Sequence, residues 1–152
     1  MLEFDHVGAK HNGISLMLAE GASIRALRAE IAKCEVVCVN CHRRRTARRG
    51  RSWRKEPGAP LTRTNLTAGE ARNIRYVREV LIRSRCVDCD EDDLLVLEFD
   101  HVRGKTGSVM AVAQRGWSLD RLKQEIARCE VRCANCHRRR TWSQIEAARS
   151  AA

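Results

Sequence analysis

The chain has 152 residues, 29 of them Lys or Arg against 19 Asp or Glu, and a formal net charge of +10, while aromatic residues make up only 4%. No apolar run is long enough to cross a bilayer and no signal-peptide pattern opens the chain, which argues against membrane and secreted proteins. A polyanionic partner is expected, and the eight cysteines are expected in a reducing cytoplasm, where thiolates bind metal rather than pair as disulfides.

In chain order, LEFDHV at Leu2–Val7 has strand character, and Ser23 is a plausible cap for a helix carrying Ile24, Leu27 and Ile31 on one side. KCEVVCVNCHRRRT follows at Lys33–Thr46. The stretch Ala47–Leu66 is basic, contains both prolines and reads as a linker. Thr67 and Glu70 have capping-box spacing, so a helix is expected there, with Ile74, Val77 and Leu81 as its apolar stripe. CVDC at Cys86–Cys89 leads through an acidic turn, Asp90–Asp93, into a strand within LLVLEFDHV and then a polar loop, RGKTGS. Ser118 should cap a helix running to Arg128, with Leu119, Leu122 and Ile126 on one side. RCEVRCANCHRRRT at Arg128–Thr141 opens a final helix expected from about Cys136 to Ala148.

Two of these blocks occur twice. LEFDHV at Leu2 returns at Leu97, and the cysteine-rich block at Lys33 returns at Arg128, both displaced by 95 residues without a gap. The organisation expected is an incomplete copy at 1–46, a linker at 47–66 and a complete module at 67–148. Each is too small to stand on an apolar core alone. Only the second copy has a CVDC ahead of its strand. Cys86, Cys89, Cys133 and Cys136 form two pairs with two-residue gaps, the spacing by which tight turns present four thiolates to one structural Zn²⁺. The first copy keeps only Cys38 and Cys41 of such a set. It is metal-free, or it borrows ligands (Cys34 as a third, His6, His11 or His42 as a fourth), or its true start lies upstream of Met1. Cys34 and Cys129 themselves read as small apolar residues at a helix end.

The order CxxC, then Asp100-His101, then CANCH around Asn135 and His137 resembles the zinc-stapled branch of the HNH endonuclease family. The likeness covers Cys86–Thr141 well and Leu2–Thr46 in part. It implies an α+β fold of small zinc-stabilised ββα-metal modules in tandem, joined by the basic linker and a helix. It also implies a metal-dependent DNA endonuclease in which Asp100 and His137 hold a catalytic divalent ion, Mg²⁺ or another, and His101 is the general base. Asn135 joins them as a catalytic candidate. Asp5, His6, Asn40 and His42 form a possible second site. The family's middle Asn has no evident counterpart, since Arg128 and Cys129 occupy that region, so what orients His101 is open.

The chemistry suits these side chains. A neutral imidazole with a pKa near 6.5 can activate water at neutral pH, and an ion with open coordination positions stabilises a leaving oxygen. Adjacent strand residues point to opposite faces, so Asp100 and His101 should stand where the strand ends. Arg43, Arg44, Arg45, Arg138, Arg139 and Arg140 are the expected DNA contacts, although three consecutive helical residues fan around most of the circumference. Trp53, Trp117 and Trp142 are assigned to packing rather than base stacking. Gly104-Lys105-Thr106 lacks the earlier glycine of a phosphate-binding loop, since Phe99 stands there. No small-molecule cofactor beyond metals is implied. The rival readings are a non-catalytic zinc-ribbon nucleic-acid-binding module and a purely structural or protein-interaction zinc module.

Overall fold

The computed structural model describes residues 1–50 and 65–151. Most of the expected linker, with Trp53, lies outside the described residues. The architecture is mixed α+β with two separate two-stranded antiparallel sheets. The N-terminal half runs β1 (Leu2–His6), α1 (Ile14–Ala19), α2 (Ile24–Ile31), β2 (Cys34–Cys38) and α3 (Val39–Arg49). The C-terminal half runs α4 (Ala68–Ile82), β3 (Leu97–His101), α5 (Val109–Gln114), α6 (Leu119–Ile126), β4 (Cys129–Cys133) and α7 (Ala134–Ser150). The register places Leu2 opposite Cys38 and His6 opposite Cys34 in one sheet, and Leu97 opposite Cys133 and His101 opposite Cys129 in the other.

Several expectations hold locally. Thr67 caps α4 through a complete capping box with Glu70, and Ser23 and Ser118 cap α2 and α6. Two differ. The helix after Ser118 stops at Ile126, and Cys129 opens β4 rather than ending a helix, as Cys34 opens β2. Short β-branched runs, CEVVC and CEVRC, pair with the LEFDH strands once those are in place. The single turns α1 and α5 carry no amphipathic period long enough to announce themselves; their residues Ile14, Met17, Val109 and Val112 are nonetheless buried. Where α4 crosses the end of α5, Gly69 comes so close to Gly116 that a Cβ would stand 3.0 Å from its carbonyl oxygen, and Gly116 itself takes φ +63°.

The main core lies in the C-terminal half, where Val77 and Leu81 of α4 close over Val96, Leu97, Val112 and Leu122. Among the described residues, no helix packs over β1 as α4 packs over β3. Leu97 is 0% exposed, whereas Leu2, the matching residue of β1, is 71% exposed. Leu97→Ala should therefore cost about 2–5 kcal/mol, and Leu2→Ala should stay within about 0.5 kcal/mol. Urea denaturation of the two variants beside the native chain measures the contrast.

Candidate metal centre and catalytic cluster

The thiols of Cys86, Cys89, Cys133 and Cys136 all lie within 4.8 Å of one another, and no other group of this kind is found among the described residues. Two edges of the cluster measure 3.8 Å (Cys89–Cys133) and 3.6 Å (Cys136–Cys89). Zinc–sulfur bonds of 2.3 Å in tetrahedral geometry require sulfurs about 3.8 Å apart, so the donor set fits Zn²⁺. Local backbone builds it. Asp90 adopts φ +58°, a left-handed turn that Asp tolerates, and its amide closes on the Cys86 carbonyl. Arg132 on β4 reaches Asp88 at 2.9 Å and ties the turn to the sheet. Cys133 and Cys136 stand at the N-terminus of α7.

On the sheet beside this cluster, Glu98 and Asp100 alternate onto one face, and His137 of α7 lies over them. Glu98 Oε2 is 2.9 Å from His137 Nδ1, and Asp100 Oδ1 is 3.4 Å from His137 Nε2. Burial pushes the Glu98 carboxyl up, but His137 and the Arg43 guanidinium outweigh it and hold it at about 2. The hydrogen bond to Glu98 in turn raises the His137 pKa above its ordinary value. The other oxygen of Asp100, Oδ2, receives Arg132 at 3.0 Å and Arg140 at 2.8 Å. β3 ends at His101, as expected, and Glu98, Asp100, His101 and His137 line one cleft of about 380 Å³.

The residue that orients His101 is Glu125, a buried carboxylate on α6 with Oε1 2.7 Å from His101 Nε2. Glu125 also accepts from the backbone amides of Thr106 and Gly107 and from the Thr106 hydroxyl. Its burial raises its pKa, and these donors override that and bring it down to about 2. Sequence reading missed this residue. Its signal was an acid one turn after Leu122 on the apolar side of α6, repeated at Glu30.

The N-terminal half repeats the geometry with one change. His6 meets Glu30 at 2.8 Å, and His42 meets Glu3 at 2.7 Å and Asp5 Oδ1 at 3.6 Å. Here, however, Arg49 donates to that same Asp5 Oδ1 at 2.7 Å and to Oδ2 at 3.2 Å, beside Arg45 at 3.2 Å. Burial raises the Asp5 pKa, and the two arginines outweigh it, leaving it below the usual carboxylate range. Of the knuckle, only Cys38 and Cys41 are present. Cys38 is held down at about 7, first by a hydrogen bond from the Asn135 side chain and then by the Cys41 amide.

Asn40 and Asn135 do not join the carboxylate–histidine groups. The Asn135 amide donates to Asn40 Oδ1 at 3.0 Å, between the two halves. The arginine triplets are also spoken for. Arg43 pairs with Glu98 and Arg138 with Glu3, a reciprocal exchange across the halves. Arg44 grips Glu91 and Asp93. Arg45 and Arg140 face their own aspartates, and Arg139 is exposed. Trp117, assigned to packing, lies partly buried against the core, with Arg121 stacked 3.6 Å from its ring centroid. Trp142 is 48% exposed.

The chain matches no protein-family model, no curated protein and no solved structure.

Two predictions follow from these environments. With Zn²⁺ bound, Cys38 should be the thiol that labels fast with maleimide at pH 7, since the zinc ligands are protected, Cys41 is pushed up by its neighbour Cys38, Cys34 is pushed up by burial, and Cys129 is pushed up to about 11 by its burial and Glu125. A chelator should then expose four more, counted by mass spectrometry. Replacing Glu125 by Ala should cost about 1–3 kcal/mol at pH 7 by leaving its part-buried donors, His101, Thr106 and Gly107, without their acceptor. Because folding lowers this carboxyl's pKa, its contribution is complete above the unfolded value and is lost as pH falls toward about 2. The stability gap between native and Glu125→Ala, read from thermal melts, should accordingly shrink below pH 4.

Proposed function

We propose that the chain is a metal-dependent DNA endonuclease built from HNH-like ββα-metal modules in tandem, with the catalytic centre in the C-terminal half. One observation carries this reading. His137 Nε2 and Asp100 Oδ1, 3.4 Å apart, share a cleft with a histidine locked by a buried carboxylate. Two ligands on one ion with bonds near 2.1 Å stand about 3.0–3.4 Å apart, so the pair fits a divalent ion without rearrangement. Glu98 on Nδ1 fixes the ring so that Nε2 offers its lone pair, the usual support of a metal-bound histidine. The arginines on Asp100 Oδ2 leave Oδ1 aimed at the same point.

In this reading the ionised Glu125 accepts the Nε2 proton of His101, which leaves Nδ1 as the free base. His101 takes a proton from water, the water oxygen bonds to phosphorus, and the phosphorus–O3′ bond breaks. A divalent ion at Asp100 and His137 would neutralise charge on the departing oxygen. Cys86, Cys89, Cys133 and Cys136 would hold a structural Zn²⁺, which would tie the start of α7, with His137, to the end of β4 and the CVDC turn.

Plasmid cleavage in Mg²⁺, Mn²⁺ or Ni²⁺ tests the proposal. His101→Ala should lower the rate at least about 100-fold, the usual contribution of a general base, with zinc content and salt-sensitive DNA binding unchanged. Native protein that binds DNA but cuts under none of these ions would instead favour a zinc-ribbon binding module.

A further inference from the structure

The two carboxylate–histidine groups are near copies, yet they differ where an ion would sit. In the C-terminal half Asp100 turns one oxygen to arginines and keeps the other for His137. Arg132 makes this possible from within β4. At the matching position of β2 stands Val37, which cannot donate. Asp5 is 1% exposed and needs cationic compensation. It receives this from Arg49, whose guanidinium bonds both oxygens, including the one that faces His42. The residue matching Arg49 on α7 is Gln144, which makes no hydrogen bond to Asp100.

We infer that Arg49 stands in for the divalent ion in the N-terminal half, so that one chain binds one ion, at Asp100 and His137, and cuts one DNA strand. This rests on the nuclease reading above. A permanent cation on Asp5 Oδ1 has two effects. It supplies the charge that the buried carboxylate requires, and it repels a second cation from His42 Nε2. The N-terminal half still contributes to the cleft of the other half, since Arg43 crosses to Glu98 and thereby supports the orientation of His137. A chain with two near-identical clusters is therefore a single-site enzyme, and its product is a nick.

The test is Mn²⁺ stoichiometry by electron paramagnetic resonance on the zinc-loaded full chain, with product analysis on supercoiled plasmid. One Mn²⁺ per chain is expected, lost in Asp100→Asn. Arg49→Gln, which installs the residue found on α7, should raise the count to two, while Arg49→Lys should leave it at one. Unchanged zinc content and far-ultraviolet dichroism establish that each variant is folded. Native protein should accumulate open-circular plasmid with no concurrent linear product. Two ions on the native chain, or a folded Arg49→Gln that still binds one, overturns the inference while the nuclease reading stands. A native chain that binds no Mn²⁺ overturns both.

Discussion

Halves of roughly this size with few aromatic residues cannot close a core by burial alone. In the C-terminal half, four thiols drawn within 4.8 Å of one another hold the CVDC turn, the end of β4 and the first turn of α7 at one point. The rest of that half depends on this convergence. With the turn fixed, Val96 and Leu97 are pressed under α4, and the strand they begin ends at His101 beside α6. With the first turn of α7 fixed, His137 is carried over Glu98 and Asp100. A zinc ion held by these thiols would fix the distance between strand and helix.

The N-terminal half repeats the strand and helix blocks with a different pattern of burial. Its sheet keeps its register and its histidines keep their glutamates, so these contacts are local properties of strand, helix and cap rather than of the thiol cluster. Burial of the strand's apolar face is what fails, since Leu2, Phe4 and Val36 stay exposed. Compensation arrives from charge. Arg44 clasps Glu91 and Asp93, whose own positions follow from the CVDC turn, and the Arg43–Glu98 and Arg138–Glu3 pairs cross between the halves in both directions. Reciprocal contacts of this kind are what a two-fold arrangement produces.

Much of the chemistry was legible in the sequence because spacing carries it. The two cysteine pairs, the capping box at Thr67 and the placement of Asp100-His101 at a strand end all rest on local geometry, and all are present. The carboxylates that do the orienting were not legible. Glu125 is far from His101 in the chain, and only the fold brings α6 against the end of β3; its place on the apolar side of α6 marks it as unusual but does not name its partner. Glu98 sits within LEFDHV, but nothing local says that it serves His137. The single-turn helices α1 and α5 were invisible for a different reason. Six residues make fewer than two turns, too few for an apolar position to recur as a stripe.

The arginines make the same point in reverse. A net charge of +10 and two RRR runs suggest a surface open to phosphate, yet Arg43, Arg44, Arg45, Arg138 and Arg140 are committed to carboxylates in the fold. Buried or half-buried acids are numerous around the clusters, and each needs a partner in low dielectric. The triplets supply that need first. Of the two triplets, Arg139 is the member left exposed outside these pairs. Arg43 and Arg138 both line the cleft beside Glu98 and His137. Glu98 is shared between Arg43 and His137, so the support of His137 in the C-terminal half draws on a guanidinium from the N-terminal half, and the two halves are coupled through it.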